Sequence, residues 1–306
     1  MKQEIYRIRG GLLAILFILL YAAIQAFYVE YINAASQSFL ESGGTLAVPV
    51  YIRSMFWVYL VLLGALIGGI ANDFKRRKAH LSVFNLTVGL VMAALGASLT
   101  ALIAVVPLRA SLANASSGLF LFGGVFLYKG LRSAPNPEPV SKKIMNLILA
   151  IILIMLFVVA YDQLQAHMTG AMAAVSMEER VGITGKILVV YNFLVTPLLT
   201  LLLAAGACFI AWFHMPRPVF DVRHLLFALV CLALYGGMAY LMLVDQAFGQ
   251  FLNNLSFSSG TQIIKSVCSS LAFTLPVFSG LYFLKAFFRG APEVWIKKGG
   301  RSSKKK

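Results

Sequence analysis

Two trios of small polar side chains recur at one spacing inside otherwise apolar sequence. Asn192, Thr196 and Thr200 stand four residues apart beside Pro197, and Ser266, Ser270 and Thr274 repeat the interval just before Pro276. That interval places each trio on a single helical face. Each proline lacks an amide donor and so frees the carbonyl one turn earlier, at Phe193 and Ala272. In hydrocarbon, freed carbonyls and hydroxyls need a neighbouring helix, water or a ligand as partner. The chemistry on offer is binding rather than bond cleavage. Asp245 and Lys265 flank the trios, so the expected substrate-binding set is Asn192, Thr196, Thr200, Asp245, Lys265, Ser266, Ser270 and Thr274. The competing reading is that these groups hydrogen-bond helix to helix, as Ser, Thr and Asn commonly do in membrane bundles.

Reaction chemistry finds little support. There is no HExxH, Walker A or GxSxG sequence, the motifs that would place a metal, a phosphate cradle or an activated serine. His214 and His224 share a joint but lie ten residues apart with Arg217 and Arg223 between them, a poor arrangement for a cation. The expectation is a non-enzymatic protein with no metal and no cofactor. Cys208, Cys231 and Cys268 form no CxxC pair and read as packing residues without a disulfide. No acidic or basic residue falls near the middle of an apolar stretch. Ion coupling would therefore use carbonyls and hydroxyls, or an external motor subunit.

The elements that carry these residues follow from composition. The 306 residues are 60% hydrophobic and 12% charged, with mean hydropathy +0.84. Soluble domains carry about twice that share of charge. Helices of about 20 apolar residues in a bilayer accommodate such a chain. The expected fold is an all-α, polytopic integral membrane bundle of about eight transmembrane helices, at 10–31, 54–72, 82–107, 115–131, 144–162, 187–213, 224–244 and 265–288. The first reads as a retained helix rather than a cleaved signal. The fourth is short and Gly-rich, and is expected to be tilted, thin or partly re-entrant.

Charge orients the bundle. Of 26 Lys and Arg residues, 21 fall on alternate joints and on the two termini. The positive-inside rule places those joints and both termini in the cytoplasm, and the compact joints suggest a bacterial inner membrane. The net charge of +15 then needs no nucleic-acid partner. The expected partners are the bilayer, anionic headgroups drawn to the basic tail, and other membrane proteins or a motor.

A 4+4 parallel repeat is expected. Ser116-Ser-Gly-Leu-Phe-Leu-Phe-Gly-Gly-Val-Phe-Leu-Tyr-Lys129 closes one half and a similar run ending at Lys285 closes the other, each followed by an arginine. Each half also opens with a helical run of about 37 residues, ~55 Å long. The domain reading is a first membrane half at 1–132, a Pro-rich linker at 133–141, a second half at 142–289 and a basic tail at 290–306. At the outer rim Glu30, Asp162 and Asp245 are expected to face Arg53, Lys186 and Lys265. The leading functional reading is a transporter, flippase or permease component moving a small polar or amphipathic substrate through the second half. The alternative is a non-catalytic subunit or scaffold of an envelope assembly or secretion complex.

Overall fold

Backbone groups surrounded by apolar side chains and lipid must satisfy one another, and the apolar stretches do so as helices. The computed structural model describes residues 12–13, 15–28, 50–74, 81–102, 109–132, 138–174, 183–243 and 259–290. Among them the helices are α1 (Ile15–Tyr28), α2 (Val50–Ala71), α3 (Val83–Leu102), α4 (Arg109–Leu131), α5 (Val140–Ala174), α6 (Ile183–Ala211), α7 (Val222–Leu243) and α8 (Ser259–Phe287). Each falls on one of the expected apolar stretches. A two-residue strand, β1 (Arg217–Pro218), pairs antiparallel with β2 (Phe288–Arg289).

Among the described residues, five stretches are long and apolar enough to cross a membrane: Ser54–Ala71, Val83–Leu102, Ser111–Leu131, Val140–His167 and Ser270–Phe287. Apolar side chains such as Leu90 and Leu95 on α3, Ile151, Met155 and Val159 on α5, and Leu226, Val230 and Leu234 on α7 are exposed. Unpartnered apolar faces of this extent belong in lipid, and the chain is an integral membrane protein. The fourth helix, expected to be thin or re-entrant, is a continuous 23-residue helix. It packs against α2, α3, α5 and α6. Helix α5 runs unbroken for 35 residues, about 52 Å against a hydrocarbon core of ~30 Å.

The packing pattern recurs along the chain. Helix α4 packs on α3 and α2, and α8 packs on α7 and α6. Helix α1 meets α2 and α8 through Tyr21, whose ring lies 4.9 Å from Tyr59 and stacks on Phe273 at 5.2 Å; α5 meets α6 and α4. The tightest crossings use glycine. A Cβ on Gly64 would overlap the Leu121 carbonyl, one on Gly124 the Val61 carbonyl, and one on Gly280 the Leu201 carbonyl. Absence of a side chain is what lets these backbones touch. Buried around the crossings are Leu63, Ile67, Phe122, Phe126, Ala204 and Phe278.

Gly236 and Gly237 on α7 are different, because nothing lies within 4 Å of a Cβ at either position. There the glycine only costs helix propensity. Gly236→Ala or Gly237→Ala is expected to stabilise the protein by about 0.5–1 kcal/mol, seen as a raised midpoint of thermal unfolding in mild detergent.

Candidate functional site

Helices α2 and α6 end side by side, and each end leaves carbonyls without intrahelical donors. Local turns supply some of those donors, Asp73 N to Ile70 at 3.1 Å and Phe74 N to Gly69 at 2.8 Å, and side chains supply others. Asn72, just past α2, gives its Nδ2 to the Ala211 carbonyl of α6 at 3.0 Å and to Gly68 at 2.9 Å. Trp212, just past α6, gives its Nε1 to the Ala71 carbonyl of α2 at 2.9 Å. Lys129 of α4 donates to Ile210 at 2.9 Å, and Lys285 of α8 donates to Ile70 at 2.7 Å. A cation at a helix C-terminus also meets the negative end of the helix dipole.

The two lysines differ in what else they hold. Lys129 is fully buried and pairs with Glu138 Oε1 at 2.8 Å. Its ammonium also lies 5.7 Å from the centre of the Phe213 ring. Asn146 Nδ2 donates to the same Glu138 oxygen at 3.0 Å, and Lys142 donates to the Trp212 carbonyl at 3.1 Å. Glu138 stands two residues before α5, where the helix dipole favours its charge. Glu138 Oε2 and Asn146 Oδ1 are buried and accept no hydrogen bond among the described residues. Lys285 instead pairs with Asp73 at 2.6 Å, and Asp73 is partly exposed. The Asp73 pair opens onto a cleft whose other polar walls are Asp221, His224 and Arg289. Asp73 and Phe74 both have left-handed backbones, with φ of 54° and 47°. This uncommon conformation turns the chain sharply and lays the Phe74 ring against Gly69.

These side chains tie the ends of α2 and α6 together. Among the described residues no group of three or more His, Cys, Asp or Glu converges on a metal position.

Of the residues expected to bind substrate, Ser270 and Thr274 are both fully buried on α8. Ser270 Oγ donates to the Ile18 carbonyl of α1 at 2.7 Å, and Thr274 Oγ1 donates to the Ser270 carbonyl at 2.6 Å. Thr200 is half-buried on α6. Asn192, Thr196, Lys265 and Ser266 lie on helices, but their side chains fall outside the described residues, as does all of Asp245. Of the outer-rim acids, Asp162 accepts a hydrogen bond from Ser111 of α4. Glu30 and the side chains of Arg53 and Lys186 fall outside the described residues.

Lys129, Glu138, Asn146 and Trp212 were not expected at a site, because basic residues near helix ends were assigned to orientation alone. A signal was present: Gly124 precedes Lys129, and Gly280 precedes Lys285, by the same five residues. Compared with protein-family models, curated proteins and solved structures, the chain matches none.

Proposed function

We propose that this protein is a carrier component of the transporter, flippase or permease kind, built from two parallel four-helix halves that meet at the α2 and α6 ends. The observation carrying the reading is reciprocity. Ile70-Ala71-Asn72 and Ile210-Ala211-Trp212 occupy matching places at the two helix ends, and the last two carbonyls of each helix take side-chain donors from the other half. Duplication of four spans would leave the halves in one orientation, related by an axis along the membrane normal. Carriers move one repeat against the other, which requires a seam that can part. Donors capping carbonyls can exchange those bonds for water; interlocked apolar side chains cannot do so at comparable cost.

On this reading the seam is the cytoplasmic closure of a bacterial inner-membrane protein with both termini inside. The substrate path runs above the seam, along α6 and α8, past Asn192, Thr196, Thr200, Ser266, Ser270 and Thr274. No catalysis is assigned to it. A scaffold role is the second reading, favoured by the Ser270 and Thr274 hydroxyls already bonded within the bundle.

The test uses a background with Cys208, Cys231 and Cys268 replaced. Single cysteines at 192, 196, 200, 266, 270 and 274 are probed from outside with an impermeant thiol reagent. The probing is repeated after cysteines at 72 and 211 are joined by a short bifunctional linker. A carrier labels with helical periodicity, and labels more strongly once the seam is held shut. Absence of labelling at all six positions in both states, while outer joints label normally, sinks the carrier reading and leaves the scaffold.

A further inference from the structure

The pairing of β1 with β2 sets Arg217 directly opposite Arg289, and Pro218 opposite Phe288. Directly opposed residues of an antiparallel pair project to the same side, and like charges placed so are unfavourable. Both arginines are exposed. Neither makes an ion pair among the described residues. The nearby carboxylates of the cleft face other groups: Asp73 pairs with Lys285, and Asp221 accepts from Arg223 N at 3.0 Å and lies 2.9 Å from His224 Nδ1. The ribbon is nonetheless well fixed. Val219 N donates to the Phe287 carbonyl at 3.0 Å and Asp221 N to the Ala286 carbonyl at 2.8 Å. The two arginines thus leave the ribbon on the same side, with no carboxylate paired to either among the described residues.

Depth and surroundings bear on which anion the pair suits. The apolar span Ser270–Phe287 ends two residues before Arg289. The ribbon therefore sits where hydrocarbon gives way to headgroups, a layer about 5–7 Å thick on each side. Phe220, Phe287 and Phe288 are exposed around it, with the Phe220 and Phe287 rings 5.7 Å apart. Aromatic side chains at this level suit the membrane interface. A free phosphate has no use for that apolar rim.

We propose that Arg217 and Arg289 form a two-armed clamp for the phosphate of an anionic phospholipid. The planar, multi-donor guanidinium suits phosphate oxygens better than an ammonium does. The clamp is distinct from any attraction of the basic tail, and it stands whether or not the protein is a carrier. A lipid held there fastens the end of α8 to the start of α7, beside the Lys285–Asp73 pair.

The purified full chain in detergent micelles is titrated with phosphatidylglycerol, with phosphatidylcholine and with inorganic phosphate, following the midpoint of thermal unfolding. Phosphatidylglycerol alone is expected to raise the midpoint. The Arg217→Gln/Arg289→Gln variant is expected to bind it about thirtyfold more weakly, from roughly one step of headgroup attraction per arginine. A tail variant, Lys304→Gln/Lys305→Gln/Lys306→Gln, keeps wild-type affinity. If the double variant does not fold, Arg217→Gln alone is expected to weaken binding about fivefold. The proposal is overturned by undiminished binding in the arginine variants, by an equal loss in the tail variant, or by an equal response to phosphatidylcholine or inorganic phosphate.

Discussion

Glu138→Ala is expected to destabilise the protein by about 3–5 kcal/mol, the usual cost of stranding one partner of a buried ion pair. The Lys129 ammonium is fully buried, and without Glu138 it keeps, among the described residues, the neutral carbonyls of Ile210 and Trp212 and the face of the Phe213 ring. Asn146 Nδ2 loses its acceptor in the same step. Lys129→Met removes the other partner and strands the carboxylate, with an effect of similar size. The double variant Lys129→Met/Glu138→Gln is expected to lose much less than the sum, because no uncompensated charge remains. Denaturant unfolding in mild detergent measures all three. A loss below about 1 kcal/mol for Glu138→Ala, the level of an exposed pair, would mean that water reaches the site and the seam is not sealed there.

Gly124→Ala is the second large effect, expected to exceed about 3 kcal/mol, the upper end for overpacking a core. The added methyl group meets the Val61 carbonyl, part of the α2 backbone, so no side-chain rotation relieves it. The helices must separate, taking the matching Gly64–Leu121 approach with them. Gly280→Ala is expected to do the same between α8 and α6, against the Leu201 carbonyl. The contrast with Gly236→Ala is the check. One chemical change destabilises at the crossings and stabilises on the open face of α7, and equal midpoint shifts at the two places would contradict the packing described here.

The positions of the helices could be read from hydropathy because each apolar stretch has to satisfy its own backbone, whatever its neighbours do. Their ends could not be read as well. Helix α4 begins at Arg109 and α8 at Ser259, both about six residues earlier than expected. Polar residues such as Ser111 and Asn114 depress hydropathy without interrupting helical hydrogen bonding. The seam was harder still. Hydropathy treats one helix at a time, and the role of Trp212 depends on which second helix ends beside it. Lys129 looked like an ordinary interfacial cation, since nothing local distinguishes a lysine that snorkels to water from one that caps a buried carbonyl. The spacing of Ser266, Ser270 and Thr274 did put Ser270 and Thr274 on a buried face, but the nearest partner to Ser270 is α1. Helical periodicity specifies a face and leaves open which neighbour covers it.

The crossed caps also impose an order on biogenesis. The Ile70 carbonyl, which accepts locally from Asp73 N, takes its second donor from a lysine 215 residues further along the chain. At ribosomal speeds of about 5–20 residues per second, that is a delay of about 10–40 s. Throughout it the end of α2 has only its local turn bonds, from Asp73 N to Ile70 and from Phe74 N to Gly69, and lacks the donors that come from Trp212 and Lys285. Its completion signals that α8 has arrived. A chain truncated before Lys285 would keep most of its apolar helices and still present an unfinished polar end, a mark by which membrane quality control could tell a partial product from a whole one.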